Sequence, residues 1–346
     1  MMRWTFPIGF SSLALLGLLA LGFREREART PVGNLTTTSY PYEGEQFTKF
    51  VADSYRVKGS GKAEDFYSWF DRGFKDQTGS DPSAFLAKQK EAIAADKDVA
   101  KKAAAEQALG GTIHRLIKKI IPKFSLQRGF EFYNTEALGE RQCFLQSVLV
   151  CGLLQEAGVD SGVAMVYKNI AGQETNNGHA VAVARLSDGK DVLVDCSDPV
   201  PFVQQKGLYL RDGEKSYVYV RPQYDGVSGT ISSYAEEAGG KDLKPERVAL
   251  LDVPFVNSMF DYYRGERTPR GFFETPSTKA GLELSAVFLE KSVQDNPKNP
   301  LAVYMLGHVY QKLGKSGEAK DRYVAAKALY AEAGWIPQGM KDALSQ

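Results

Sequence analysis

The sequence predicts an α+β protein, in which a central helix packs on an antiparallel sheet, a helical part precedes them and α-hairpins follow. Three observations favour this class. An apolar helical pattern over residues 143–157 is followed by three short segments with strand-like alternation. Ala- and Lys-rich helical patterns lie before this region, and a helical repeat lies after it. The chain has 346 residues, 43% apolar and 25% charged, which is ordinary for a globular protein and allows two domains.

Residues 1–23 differ from the rest of the chain because they contain a Leu-rich, nearly uncharged run behind Arg3. This pattern is typical of a secretory signal peptide, with Ala20-Leu21-Gly22 as a small-x-small cleavage site. The run of about 20 residues is also long enough to cross a membrane as an uncleaved anchor. Both alternatives predict an exported main body, periplasmic or extracellular, that meets a membrane only through this segment if it stays uncleaved. Residues 24–42 are polar and predict a linker.

Charge and motif content exclude several functions. Lys and Arg number 43, and Asp and Glu number 42, so no basic excess favours a nucleic-acid partner. The sequence contains no Gly-rich phosphate loop, nucleotide fingerprint or paired metal-ligand motif, so we expect neither a cofactor nor a metal. The three cysteines, Cys143, Cys151 and Cys196, are too few for a disulfide scaffold in an exported chain. The sequence does not decide whether Cys151 and Cys196 form a disulfide.

Residues 43–263 are predicted to form one domain with a helical N-terminal part. Its longest helical pattern begins at Pro82, a residue suited to the first turn, and runs to residue 109. The pair Gly110-Gly111 predicts the end of this helix, because glycine commonly follows the last helical residue. Its alternating Lys and acidic residues predict a solvated face and not a binding patch.

A second helix is predicted over residues 113–121, with Thr112 as its N-cap and Pro122 as its stop. Its Ile and Leu residues form one apolar stripe at helical spacing. His114 lies off that stripe, so we expect His114 at the surface and not as a ligand.

The central segment carries the clearest pattern in the chain. Its helix over residues 143–157 has apolar residues on one face and ends at Gly158. Period-2 alternation between turn residues then predicts three strands, over residues 159–168, 178–186 and 191–196. A polar loop is expected to join the first two strands, and the helix is expected to pack on their antiparallel sheet.

The turn between the last two strands decides which carboxylate lies near His179. Ser187-Asp188-Gly189 fits a three-residue hairpin loop with Gly in the left-handed position. The resulting register places His179 and Asp195 on the same face, one diagonal step apart. A two-residue turn would instead favour Asp198. The position of Gly189 makes Asp195 the preferred assignment.

The order of thiol, imidazole and carboxylate is the order that nucleophilic thiol chemistry uses. Cys143 opens a helix, where the helix dipole and a nearby imidazolium both favour the thiolate. Asp195 would fix the tautomer of His179 and favour its cationic form. The main-chain N–H of Cys143, free in the first helical turn, is a candidate oxyanion donor. Cys151, in the helix interior, and Cys196 are expected to be core residues.

These residues resemble the transglutaminase-like superfamily of papain-type thiol enzymes over residues 131–199. The resemblance implies that Cys143 is the nucleophile, His179 the general base and acid, and Asp195 the residue that orients His179. The chain departs from the common pattern in two places. Arg141 stands where the family often has Gly, and Val181 stands where it often has Trp. Both changes alter the lining of the site and leave its substrate class open.

The C-terminal region carries a helical repeat. Residues 264–276 are rich in Gly, Thr and Pro and predict a linker, and residues 277–346 are predicted to be helical. The repeat pattern that resembles a tetratricopeptide repeat consists of Leu306-Gly307, Tyr310, Leu313-Gly314, Ala319, Tyr323 and Ala326. A degenerate preceding repeat supplies a helix over residues 282–294, and His308 is expected to pack between helices. One repeat cannot bury its apolar face alone, so it must pack on the central domain or on another chain.

Two functions follow from these observations. The first is an exported thiol enzyme that acts on amide bonds of a protein or peptide through Cys143, His179 and Asp195, more by hydrolysis than by cross-linking. The alternative is a catalytically inactive transglutaminase-like domain whose helical repeats bind a protein partner. Thiol reactivity that requires both Cys143 and His179 distinguishes the enzyme from the interaction module.

Overall fold

The computed structural model describes residues 38–212, 216–226, 228–240 and 242–344. The predicted signal peptide or anchor, residues 1–23, lies outside the described residues, as do residues 24–37 of the predicted linker. The described α-helices are α1 (Glu45–Lys58), α2 (Ala63–Thr78), α3 (Pro82–Ala95), α4 (Val99–Ile120), α5 (Phe132–Leu138), α6 (Cys143–Glu156), α7 (Val253–Glu266), α8 (Lys279–Asp295), α9 (Pro300–Lys312), α10 (Ser316–Glu332) and α11 (Gln338–Ala343). The described strands are β1 (Lys123–Phe124), β2 (Glu140–Arg141), β3 (Ser161–Lys168), β4 (Glu174–Arg185), β5 (Asp191–Val194), β6 (Gly207–Asp212), β7 (Ser216–Tyr224) and β8 (Thr230–Glu236).

Strands β3 to β8 form a closed antiparallel barrel in the order β3-β4-β5-β8-β7-β6. Alternate residues along these strands fill the barrel, as period-2 side-chain direction requires. This inner cluster contains Ala164, Val166, Val181, Val183, Leu193, Leu208, Leu210, Val220, Ile231 and Tyr234. The α+β class and the antiparallel pairing are confirmed. Closure into a barrel adds three further strands, β6, β7 and β8, to the predicted three-stranded part of the sheet.

Helix α6 is the centre of the fold. Its residues from Cys143 to Leu154 are all buried, because the barrel covers one side and the N-terminal helices cover the other. Gln142 caps the helix with its side-chain oxygen, which accepts the Phe144 N–H at 3.0 Å. The predicted end is confirmed, since Gly158 has a positive φ of 78° that L residues adopt rarely.

The predicted hairpin register is confirmed. The Leu186 N–H donates to the Lys190 carbonyl at 2.7 Å, and Gly189 has a φ of 81°. Ala182 lies opposite Val194, so counting one residue further places Asp195 directly after the end of β5. The predicted polar loop is shorter than expected, because β4 already begins at Glu174, which pairs with Lys168 of β3 beyond an irregularity in the ladder.

The predicted helix boundaries around Gly110-Gly111 are wrong. The helical pattern breaks earlier, between α3 and α4, where Asp98 caps α4 by accepting the Ala100 N–H at 2.9 Å. Both glycines lie inside α4 because the chain packs closely there. A Cβ on Gly110 would lie 3.1 Å from the Val194 side chain, and one on Gly111 would lie 3.3 Å from Phe202. Gly110 and Gly111 therefore occur here because a larger side chain would not fit, and not because the helix ends at them.

The C-terminal helices pack on the rest of the described chain. Trp335 lies 4.8 Å from Tyr167 and 5.0 Å from Tyr219 on the barrel, measured between ring centroids. The Tyr219 N–H donates to the Ala333 carbonyl at 2.9 Å. The described residues accordingly group into one compact unit. Helix α7 extends to Glu266, so the first residues of the predicted linker are helical.

A buried ion network joins α7 to the segment before α5, and we expect it to be sensitive to the loss of one charge. Arg264 donates to Glu131 at 2.7 Å and to Asp261 at 2.9 Å, and all three side chains are buried. Glu131→Gln should lower the free energy of unfolding by about 3–5 kcal/mol, because the buried positive charge of Arg264 would lose one of its two carboxylate partners.

Urea denaturation measures this effect, and Glu283→Gln is the matched control. Glu283 pairs with Lys279 at the surface, so its change should cost at most about 0.5 kcal/mol. Equal losses in the two variants would contradict the assigned importance of the buried network.

Candidate active site

Cys143 is the first residue of α6, and its thiol faces the middle of β4. The side chain is buried, and Sγ lies 3.8 Å from the Gly178 carbonyl oxygen. Ser147, one turn later, donates to the Cys143 carbonyl at 2.8 Å and lies 3.1 Å from the Ala180 carbonyl. This contact fixes the first turn of α6 against the strand that carries His179. The thiol therefore lies at the N-terminus of α6.

His179 and Asp195 are in direct contact. His179 Nε2 lies 2.7 Å from Asp195 Oδ2. The Asp195 side chain is 2% exposed, whereas the His179 side chain is 26% exposed, so the site opens to solvent beside the imidazole. Because Nε2 is hydrogen-bonded to Asp195, Nδ1 is the ring nitrogen that does not contact this carboxylate.

The pKa values of this pair support a charged contact at neutral pH. Burial alone would lower the pKa of His179, but hydrogen bonds to Asp195 and Cys143 outweigh burial and raise that pKa to about 10. Burial likewise opposes ionisation of Asp195, yet its hydrogen bonds, first of all with His179, hold the pKa of Asp195 below its usual range. His179 therefore carries its proton while Asp195 is ionised.

Asp195 accepts further hydrogen bonds that fix its carboxylate. Gln205 Nε2 donates to Oδ2 at 3.0 Å, and the Ser197 N–H donates to Oδ1 at 2.9 Å. Gln146, one turn after Cys143, donates to the Ser197 hydroxyl at 2.6 Å. Gln205 follows an irregular segment, so no local pattern identifies it. Gln146 could have been found, because it lies three positions after Cys143 on the same helix face.

His114 is buried, and its predicted surface position is wrong. Its Nε2 lies 3.1 Å from the Asp198 carbonyl oxygen, to which Lys118 also donates, at 2.5 Å. Burial is the main cause of the lowered pKa of His114. The helix packs against the turn after β5, so residues off the apolar stripe are also covered. Asp198 thus contacts α4 through its main chain, and Asp195 is the carboxylate beside His179.

The other two cysteines lie in the core. Cys151 and Cys196 are buried free thiols, so the disulfide that the sequence left open is not formed. Burial raises the pKa of Cys151 to about 12 and raises the pKa of Cys196 as well. Both thiols stay protonated at neutral pH, and neither is suited to act as a nucleophile.

The described residues contain no group of three or more His, Cys, Asp or Glu side chains that could hold a metal ion. His308 packs within the C-terminal helices, where its Nδ1 lies 2.9 Å from the Tyr323 hydroxyl. Its ring lies 4.5 Å from the ring of Tyr304.

No helix of the described chain has the length and apolar character needed to span a membrane.

Comparison with known proteins identifies the C-terminal segment. Residues 288–321 match a family model described as a tetratricopeptide repeat. The match covers the end of α8, the whole of α9 and the start of α10. No curated protein and no solved structure matches the chain. A tetratricopeptide segment favours protein–protein interaction and has no chemistry of its own.

The raised pKa of His179 predicts a pH-dependent stability. The ordinary pKa is 6.5 and the pKa in the folded protein is about 10, so the folded state binds this proton more tightly. The stabilisation is complete below about pH 6.5 and is lost as the pH rises through about 10. The free energy of unfolding should exceed that of His179→Gln by a few kcal/mol near the lower limit, and the difference should shrink towards the upper one.

Urea denaturation of both proteins across this pH range measures the difference. A difference that grows with pH would contradict the charged contact between His179 and Asp195.

Proposed function

We propose that the chain is an exported or membrane-anchored thiol enzyme of the transglutaminase-like kind that acts on amide bonds. Cys143 is the nucleophile, His179 the general base and acid, and Asp195 the residue that orients His179. The observation that carries this proposal is the 2.7 Å contact between His179 and a buried Asp195, next to a thiol at a helix N-terminus. A bare core cysteine would need neither partner.

In the proposed acylation step, the Cys143 thiolate attacks the carbonyl carbon of an amide. The new C–S bond forms as the carbonyl electron pair moves to oxygen, where the Cys143 N–H can donate a hydrogen bond. The C–N bond then breaks, and the imidazolium of His179 gives its proton to the departing amine. The product is a thioester on Cys143 and a neutral imidazole.

In the second step, His179 takes a proton from water as the water oxygen attacks the thioester. The C–S bond breaks, the acid is released and the thiolate–imidazolium pair is restored. An amine in place of water would give a new amide and therefore cross-linking. We favour hydrolysis because the exposed side of His179 lies open to solvent.

The test is acylation of the purified chain by p-nitrophenyl acetate, followed by mass spectrometry of the Cys143 peptide. The proposal predicts an acetyl group on Cys143 that water removes, and no acetylation of the buried Cys151 and Cys196. Cys143→Ala should release p-nitrophenol no faster than buffer. Transfer of the acetyl group to added amine in preference to water would replace hydrolysis by cross-linking.

A second candidate function rests on the tetratricopeptide match. The alternative is an interaction module that binds a protein partner through its C-terminal helices. Helix α9 is almost wholly buried, so a partner would have to bind an outer face, such as the side of α8 that exposes Leu284 and Val287. An inert Cys143 in the acylation test would favour this alternative.

A further inference from the structure

Tyr263 brings a third element, helix α7, to the nucleophile. Its side chain is buried, and its ring contacts aromatic rings on two other segments of the chain. The ring of Phe130 lies 5.8 Å away in a stacked arrangement, and the ring of Phe144 lies 5.7 Å away. Phe144 directly follows Cys143 in α6. The position of the Tyr263 ring is therefore fixed relative to the first turn of that helix.

The Tyr263 hydroxyl is buried and interacts electrostatically with Cys143, but it makes no ordinary hydrogen bond. Among the described residues, this buried oxygen has no partner in hydrogen-bond geometry. Cys143, Glu266 and Gln142 are the polar residues that influence the ionisation of this hydroxyl. Burial, followed by the charge of Cys143, raises the pKa of Tyr263 well above its usual range. The phenol consequently stays protonated and can act as a donor at neutral pH.

The neighbouring Tyr262 shows the usual arrangement of a buried phenol. Its hydroxyl donates to Glu266 at 2.8 Å within the same helix. Buried hydroxyls normally find such a partner, and each exception calls for an explanation. Three other tyrosine hydroxyls in the described chain, those of Tyr40, Tyr55 and Tyr330, also lack a partner. Tyr263 differs from them in lying beside Cys143.

We propose that the Tyr263 hydroxyl is the second oxyanion donor of the site, acting together with the main-chain N–H of Cys143. This inference rests on the proposed function. As the thiolate attacks a carbonyl, negative charge develops on the carbonyl oxygen, and a buried donor beside Sγ stabilises that charge. The phenol keeps its proton throughout, so no bond to Tyr263 forms or breaks. A donor that has no partner in the resting site loses no hydrogen bond when the oxyanion forms.

Two reagents separate this role from a structural one. Iodoacetamide alkylates the thiolate by displacement of iodide and forms no oxyanion. p-Nitrophenyl acetate acylates the same sulfur through a tetrahedral oxyanion. The ratio of the two rates at Cys143, measured by peptide mass spectrometry in one protein sample, therefore reports the oxyanion donors alone. Tyr263→Phe removes only the hydroxyl, and Tyr262→Phe is the matched control from the same helix.

Tyr263→Phe should lower the ratio of acylation to alkylation on the order of 10²-fold, and Tyr262→Phe should leave it unchanged. An unchanged ratio in Tyr263→Phe, or equal falls in both rates, would overturn this inference while leaving the proposed function intact. Absence of acylation in the unmodified protein would overturn both. The alkylation rate of Tyr263→Phe also reports whether the site is still assembled.

Discussion

Asp195→Asn should lower the rate of acyl transfer at Cys143 by roughly 10²- to 10⁴-fold at neutral pH. The carboxylate accepts hydrogen bonds from His179 and Gln205 on the same oxygen. An Asn amide carries no charge and can present a donor to His179, so the ring loses both its preferred tautomer and its cationic form. Stopped-flow release of p-nitrophenol, with mass spectrometry of the Cys143 peptide, measures the change.

Asp198→Asn is the matched control for that prediction. Asp198 contacts α4 through its main-chain carbonyl, and its carboxylate accepts the Val200 N–H at 3.1 Å. Its change should therefore leave acyl transfer within about threefold of the unmodified rate, because most surface changes cost at most about 0.5 kcal/mol. Loss of reactivity on changing Asp198 but not Asp195 would restore the two-residue-turn assignment.

Tyr330→Ala should lower the free energy of unfolding by about 3–5 kcal/mol, the usual cost of removing a fully buried aromatic side chain. Tyr330 lies on α10, and its ring centroid is 6.5 Å from the ring centroids of Tyr219 on the barrel and Tyr304 on α9. It therefore fills the contact through which the tetratricopeptide segment is docked. Urea denaturation monitored by circular dichroism measures the loss.

Val324→Ala on the same helix is the control, because Val324 is 54% exposed. Its change should stay within about 0.5 kcal/mol of zero. If both variants unfold like the unmodified protein, the C-terminal helices are tethered and not docked. That outcome would favour the alternative function, in which the C-terminal helices bind a protein partner.

Local sequence was sufficient where local chemistry sets the structure. Gly189 in the left-handed position fixed the hairpin register, and with it the distance between His179 and Asp195. The apolar run after Cys143, closed by Gly158, located α6 to within one residue. The tetratricopeptide spacing was also visible, because each position in that pattern reflects contact between neighbouring helices.

Features that depend on distant parts of the chain were not predictable. The burial of His114 follows from packing of α4 on the turn after β5. Glycine is found at position 110, inside a helix, because a side chain there would crowd Val194, which lies far along the chain. Gln205 and Tyr263 reach the site from a loop and a helix with no periodic relation to Cys143. In each case tertiary contact decides the outcome over local propensity.

The most direct test of the account is the alkylation of Cys143 by iodoacetamide at pH 6, compared with free N-acetylcysteine and with His179→Ala. An unactivated thiol, with a pKa of about 8.5, is almost wholly protonated under these conditions and reacts slowly. The account predicts that Cys143 reacts at least about tenfold faster than the free thiol, and that His179→Ala removes this advantage. Cys151 and Cys196, whose pKa values are raised, should stay unmodified. A Cys143 that reacts no faster than N-acetylcysteine, with or without His179, would contradict the central claim.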